Sequence, residues 1–322
     1  MLYSKARAFR RKLGKKQNAD FAANDKIRAK VFSQFVESHF DHFSPVIREY
    51  GDLQKYAENF DSVLVGSDQL WLPAGLATNF YNLRFVPDSI NKIAYAASFG
   101  VSEIPSYQVK RTVQYLNRIE HISVREHSGQ KIIKDLTERD VPVIVDPTLV
   151  IPKESWDEMI PSDRRIQEDY IFCYFLGNNP DQREEARKLS RATGLKIVTL
   201  RHMDEFIASD ESFGDYAPYD VGPAEFVNLI RHASYVCTDS FHGSVFSIMN
   251  HKQFVSFNRY GNNSKNSRNS RLDSLFSQLG VQRRFDGNIV EEMMQPIDYP
   301  AVDERLAGLR RFAEDYLKDS FA

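Results

Sequence analysis

Asp239, Ser240, His242 and Gly243 crowd into one turn of the stretch VCTDSFHGSVFSI, residues 236–248. The stretch opens as an apolar strand and closes as an apolar helix, so the polar groups fall at the join. A helix start offers unpaired backbone N–H groups and favours anions, and glycine admits a close approach. An imidazole placed there can hold a phosphate or act as a general acid. A lone histidine can also be structural, but the neighbouring Asp239, Ser240 and Gly243 favour function. Asp68, in VLVGSDQLW, directly follows another strand-like run. It reads either as a base or as a turn aspartate bonding its own backbone. Trp71 beside it is either a stacking surface for a sugar ring or simple packing. Arg125, where HISVRE leaves its apolar run, can clamp a carboxylate or phosphate bidentately, or pair locally with Glu126 or Asp146. Glu225 in GPAEF reads first as an acid complementing a helix dipole.

These groups share a position. The clusters Ser67-Asp68-Gln69, Arg125-Glu126, Asn178-Asn179, Arg201-His202 and Asp239 to Gly243 each interrupt an apolar strand at its carboxyl end. In α/β sheets, ligands bind outside those ends. The polar run NRYGNNSKNSRNSR (258–271), with Arg259, Lys265, Arg268 and Arg271, reads as a binding loop that orders on ligand, or as a plain surface loop.

The elements that must position these residues follow from periodicity. Residues from about 20 to 60 read as helical, with Ile27, Val31, Phe35 and Val36 at helical spacing. Strands are expected at 62–67, 92–100, 121–126 and 141–147. A second alternation then follows, with strands at 170–179, 195–202, 235–240 and 252–259. Continuous apolar strands between helices argue for parallel sheets covered on both faces. The expected division is an N-terminal Rossmann-like domain over 1–150, a linker over 151–169, a second Rossmann-like domain over 170–300, and a helix over 301–322. A cleft between the two domains is the expected site.

Bulk properties narrow the partners. A net charge of −2 over 322 residues gives no case for nucleic acid. Cys173 and Cys237 lie inside apolar runs, which fits a reducing, cytoplasmic compartment. No run is long and apolar enough to span a membrane, and no export signal opens the chain. The opening segment carries Lys5, Arg7, Arg10, Arg11, Lys12, Lys15 and Lys16, with Leu2, Phe9 and Leu13 able to share one face. That pattern suits an anionic membrane surface, or else a merely solvated helix end. His39 and His42 lack a third ligand, so no metal is expected. GxGxxG, Walker, CxxC and HExxH patterns are absent, and no cofactor is expected.

The stretches VLVGSDQLW, YAASFG, ISVRE, VDPTLV, GPAEFVNLIRHASYVCTDSFHGSVFSIMNHKQFVSF and NSRNSRLDSLFSQLG resemble the polysaccharide pyruvyl transferase family over about residues 60–285. The resemblance implies two doubly wound domains of the GT-B type. Here the N-terminal one is expected to be shortened, because no strand and NYG-like loop precede SVLVGS. It implies transfer of pyruvate from phosphoenolpyruvate onto a sugar as a ketal bridging two hydroxyls. The acceptors would be surface-polysaccharide precursors, some lipid-linked. His242 then suits the acid and Asp68 the base. Arg125, Asp239, Ser240, Gly243, Asn178, His202 and Arg268 are the expected substrate-binding residues. Two alternatives stand beside this one: a glycosyltransferase using a nucleotide sugar, with Glu225 and the loop at Asn178 serving the nucleotide, and a non-catalytic glycan-binding or assembly protein.

Overall fold

Short β-branched and aromatic runs form seven parallel strands in the computed structural model, which describes residues 19–203, 206–260 and 269–322. The basic segment 1–16 and the loop residues Lys265 and Arg268 lie outside the described residues. One sheet has the order β1-β2-β3, formed by Ser62–Val65, Asn91–Ala97 and His121–Val124. The other has the order β5-β4-β6-β7, formed by Tyr170–Tyr174 (β4), Lys196–Thr199 (β5), Tyr235–Thr238 (β6) and Gln253–Ser256 (β7). The expected parallel α/β class is therefore present. Each sheet has its own apolar core. Trp71, Phe99, Leu116 and Ile133 centre the first, and Ile171, Cys173, Ala186 and Val255 the second.

The second sheet contains a reversal. From β4 the chain moves to β5 on one side, then returns to place β6 on the other side. The carboxyl ends of β4 and β6 thus diverge at a topological switch point, where doubly wound sheets form their ligand crevice. The first sheet runs in simple order and has no such reversal.

Three expectations about the elements are corrected. The run at 141–147 is not a strand; it contributes a single bridge, Val124 to Val143. Pro142 has no N–H to donate, and Asp146-Pro147 turns the chain at once into the helix Pro147–Val150. The expected linker is instead part of a structured stretch, with a second helix at Lys153–Met159. The domains are not contiguous blocks either. One compact unit takes the chain up to Phe43, Pro152–Arg259 and Gln282–Tyr299. The other takes Ser44–Ile151, Tyr260–Val281 and Pro300–Ala322. The closing helix Tyr299–Phe321 returns to the first sheet's unit because its polar side chains find backbone partners there. Tyr316 Oη donates to the Ala94 carbonyl at 2.9 Å and Arg310 Nε to the Leu149 carbonyl at 2.7 Å.

Candidate active site

At the carboxyl end of β6, the residues expected to act together divide into a scaffold and one accessible side chain. Asp239 is fully buried, and its carboxylate accepts from the backbone N–H of Leu176 at 2.7 Å and of Gly177 at 2.8 Å. Arg259 Nη2 lies 3.3 Å from the same carboxylate and donates to the Asp239 carbonyl at 2.8 Å. Asp239 therefore ties the end of β6 to the loop after β4, across the switch point. Both of its carboxylate oxygens are engaged within the protein. Ser240 is the N-cap of the helix Phe241–Met249, with Oγ accepting from the Gly243 N–H at 3.3 Å.

Gly243 has a different reason from the one its neighbours suggest. A Cβ there would lie 2.5 Å from Thr238 Oγ1 and 3.1 Å from Thr238 Cβ. That hydroxyl is fixed, donating to the Tyr174 carbonyl at 2.7 Å and accepting from the Ser240 N–H at 3.0 Å. Glycine is needed for close packing of strand and helix, and its N–H is spent on the cap. Ser240 and Gly243 thus hold the turn. His242, alone in this group, is only half-buried, on the first turn of the helix with its ring edge-on to Phe241 at 5.4 Å. Its neighbours fix the backbone that presents it.

The loop after β4 is held from a second side. Arg183, whose side chain is 1% exposed, donates to Asp210 at 2.6 Å and to the carbonyls of Gly177 and Asn179 at 3.0 and 2.9 Å. Burial pushes the Asp210 carboxyl above its usual range, and Arg183 opposes that shift. Sequence reasoning missed Arg183, because PDQREEARKLSRATG looks like an ordinary solvated helix. Asn178 is left exposed between these anchors, while Asn179 caps the next helix by accepting from the Asp181 N–H at 2.9 Å. His202 is half-buried beyond β5, and its backbone faces the Asp210 carboxyl. Arg28, from the helix Ala19–His39, reaches Tyr174 at the end of β4; burial raises that phenol, and Arg28 and Arg259 oppose the rise.

At the carboxyl ends of β1 and β3 a second cluster forms within the other unit. Arg125 is buried, its side chain 1% exposed. Nη1 donates to Asp146 Oδ2 at 2.8 Å and lies 3.4 Å from Ser67 Oγ, and Nη2 lies 3.4 Å from Asp68 Oδ1. The local ion pair is thus realised through Asp146. Asp146 is itself fixed, accepting from Ser67 Oγ at 2.5 Å and from Thr148 N at 3.1 Å. Asp68 stays at the surface, its side chain 61% exposed. Its backbone sits at φ +68°, a left-handed conformation that aspartate tolerates at a cost. The Ser98 N–H pins it by donating to the Asp68 carbonyl at 3.0 Å.

Beside Arg125 lies the residue most worth adding to the set. Glu126 is fully buried, and Oε1 accepts from Ser98 Oγ at 2.9 Å and from Gly100 N at 3.3 Å. Its Oε2 lies 4.0 Å from Arg125 Nε, and neither atom has a hydrogen-bond partner. Burial raises its carboxyl above the usual range, against the opposing pull of Arg125. The sequence offered Glu126 only as a partner for Arg125; nothing in a single chain marks a carboxyl as buried. Trp71 proves to be core, fully buried against Phe99 and Tyr115 at ring distances of 5.2 and 5.5 Å. Glu225 is a cap, Oε2 accepting from the Gly222 N–H at 3.1 Å. Among the described residues, no three His, Cys, Asp or Glu side chains gather to hold a metal.

A family model described as polysaccharide pyruvyl transferase matches residues 4–260. No curated protein matches the chain. Among solved structures, a UDP-GlcNAc 2-epimerase from Methanocaldococcus jannaschii is 13% identical, with a TM-score of 0.46 over 80% of this chain and 74% of that one. The glycotransferase of kitacinnamycin is 16% identical, with a TM-score of 0.39 over 83% and 76%. The glycosyltransferase SnogD from Streptomyces nogalater is 11% identical, with a TM-score of 0.32 over 89% and 80%. Likenesses this distant say nothing of function.

Proposed function

The chain belongs to the polysaccharide pyruvyl transferase family, and from that premise we propose that it moves pyruvate from phosphoenolpyruvate onto a sugar of a surface-polysaccharide precursor as a cyclic ketal. The observation that carries this reading is the place of His242. It is a half-buried imidazole on a turn whose backbone is held by Asp239 and Ser240, beside the switch point between β4 and β6. A general acid needs that combination of a rigid mount and an open face.

In this reaction a proton reaches the methylene carbon of the enol while a sugar hydroxyl oxygen bonds to the central carbon. Phosphate then leaves with its bridging oxygen, and the second hydroxyl closes the ketal on the same carbon. Of the two hydroxyl protons, one balances that used to make the methyl group and one leaves with phosphate. His242 supplies the proton or holds the phosphate. Asp68 takes a hydroxyl proton, kept in place by Arg125 behind it. Asn178 and His202 stand at the ends of neighbouring strands as contacts for donor or acceptor, and Arg268 keeps its proposed part in binding the donor.

The acceptor is a glycan precursor, some forms lipid-linked, and the protein works in the cytoplasm at the inner membrane face. The basic segment 1–16 supports that location. So do Ile27, Phe32 and Val36, which are 44%, 40% and 39% exposed on the helix Ala19–His39 that follows it. No helix among the described residues is long and apolar enough to cross a membrane.

The test is phosphate release from phosphoenolpyruvate across a panel of glycosides and lipid-linked sugars. His242→Ala should lower turnover by about 10² or more with thermal stability unchanged. His242→Asn should restore little if the proton matters, and more if binding does. Consumption of a UDP- or GDP-sugar with no phosphate released from phosphoenolpyruvate would replace this reading with glycosyl transfer. Sugar binding with neither reaction would replace it with a glycan-binding role.

A further inference from the structure

Two open grooves lie in the unit that carries β1–β3, and neither contains any residue of the candidate active site. The larger, about 630 Å³, is lined by Tyr50, Asn79, Arg84, Asp88, Gln114 and Arg118. Its position follows from topology. Arg84 and Asp88 lie just before β2 begins at Asn91, and Gln114 and Arg118 just before β3 begins at His121. The groove is therefore at the amino edge of the sheet, whereas Asp68 and Arg125 are at the carboxyl edge. At about 3.3 Å per residue, the seven residues of β2 separate the two edges by on the order of 20 Å.

The floor of this groove is rigid. Arg118 donates to Asp88 Oδ1 at 2.9 and 2.8 Å, to the Arg84 carbonyl at 3.1 Å and to the Val86 carbonyl at 2.7 Å. Lys92 holds the same turn from beneath through the carbonyls of Pro87 and Ile90, at 2.9 and 2.6 Å. Two cations thus brace the backbone on which Arg84 stands, and among the described residues the Arg84 side chain has no hydrogen-bond or ion-pair partner. Tyr50, 45% exposed, offers an aromatic face, while Asn79 and Gln114 offer amides. Arg84 and Arg118 against Asp88 leave a net positive charge. A guanidinium on a braced backbone, an exposed aromatic ring and amide groups on an open shelf suit a saccharide that carries a carboxylate.

We propose that this groove is a non-catalytic subsite for an acidic saccharide. Arg84 binds the carboxylate and Tyr50 packs on the sugar ring. The choice of acid rests on the proposed reaction, because a pyruvate ketal adds one carboxylate to each sugar it modifies. Such a subsite would keep already modified polymer on the protein while the next sugar is presented.

Binding can be read without turnover. The full-length protein is titrated calorimetrically with a galactoside carrying a pyruvate ketal, with the same galactoside lacking it, and with inorganic phosphate. Phosphoenolpyruvate is left out throughout, so neither galactoside can react. The ketal-bearing galactoside should bind, and the plain galactoside at least about tenfold more weakly. Arg84→Met should cost about tenfold, Tyr50→Ala should weaken binding, and Asp88→Asn should tighten it by removing a like charge. Equal binding of both galactosides, phosphate competing as well as the acid sugar, or indifference to Arg84→Met each overturns the proposal. Because no phosphate release is measured, failure here leaves the proposed reaction standing. Failure of that reaction in turn leaves the binding result readable.

Discussion

Replacing Asp239 tests whether the conspicuous aspartate of TDSFHG contacts substrate or holds the fold. Asp239→Ala removes the acceptor for the Leu176 and Gly177 N–H groups and the charge partner of Arg259. Hydrogen bonds to a charged group contribute about 1.5–3 kcal/mol each, so two amount to about 3–6 kcal/mol. Removing one partner of a buried pair costs about 3–5 kcal/mol by the ion-pair measure. The two figures describe overlapping losses and do not add, so we expect about 3–5 kcal/mol. A domain in the middle or upper part of the usual range of about 5–15 kcal/mol remains folded after that loss. Asp239→Asn keeps one acceptor but turns an amide toward the second N–H, and should cost about 2–3 kcal/mol. Urea denaturation gives the loss directly, as a midpoint lowered by at least about 1 M in the alanine variant. Amide exchange at Leu176 and Gly177 should quicken in step, because these amides lose their protection. Stability of both variants within about 0.5 kcal/mol of wild type, with phosphate release abolished, would refute the argument and return Asp239 to the substrate.

Gly243→Ala should destabilise, since overpacking against Thr238 costs about 1–3 kcal/mol and better helix propensity offsets only about 1. In a Thr238→Ala background the penalty should shrink; an unchanged penalty would show that the clash is not its cause. Glu126→Gln should become more stabilising relative to wild type as pH rises. Burial raises the Glu126 carboxyl above its ordinary 4.5, so the stability it contributes is present below that value and lost as pH climbs through its folded-state value. Denaturation of both proteins from about pH 4 to about pH 8 checks this, and a stability difference that ignores pH refutes it. Sedimentation with anionic vesicles should retain the protein at low salt and release it at high salt. Equal binding to neutral and anionic vesicles would end the case for the basic segment 1–16.

Much of the fold was legible because burial on both faces of a parallel sheet leaves a continuous apolar run, and a helix leaves a 3.6-residue period. The seven strands, the helix Pro180–Thr193 with proline in its first turn and its Gly194 stop, and the motifs of the family are all local statements of this kind. The 141–147 run misled because Val-Pro-Val-Ile-Val has the composition of a strand, and only the missing neighbour and Pro142 reduce it to one bridge.

The sequence by itself determined the α/β class, the family, and the gathering of polar groups at strand ends, since each depends on residues near one another along the chain. Only the tertiary structure decided which of those groups are spent. Asp239, Ser240, Gly243 and Arg125 carry the residue types of a binding site, yet each is committed to backbone N–H groups, a cap, a close contact or an ion pair. His242 is half-buried and the Asp68 side chain is exposed. The same holds for the strand order β5-β4-β6-β7 and for the return of the chain's last helix to its first sheet. A side chain's partners and exposure are set by residues dozens to hundreds of positions away. Hydrogen bonding and desolvation act on distance in space, which one chain read in order does not contain.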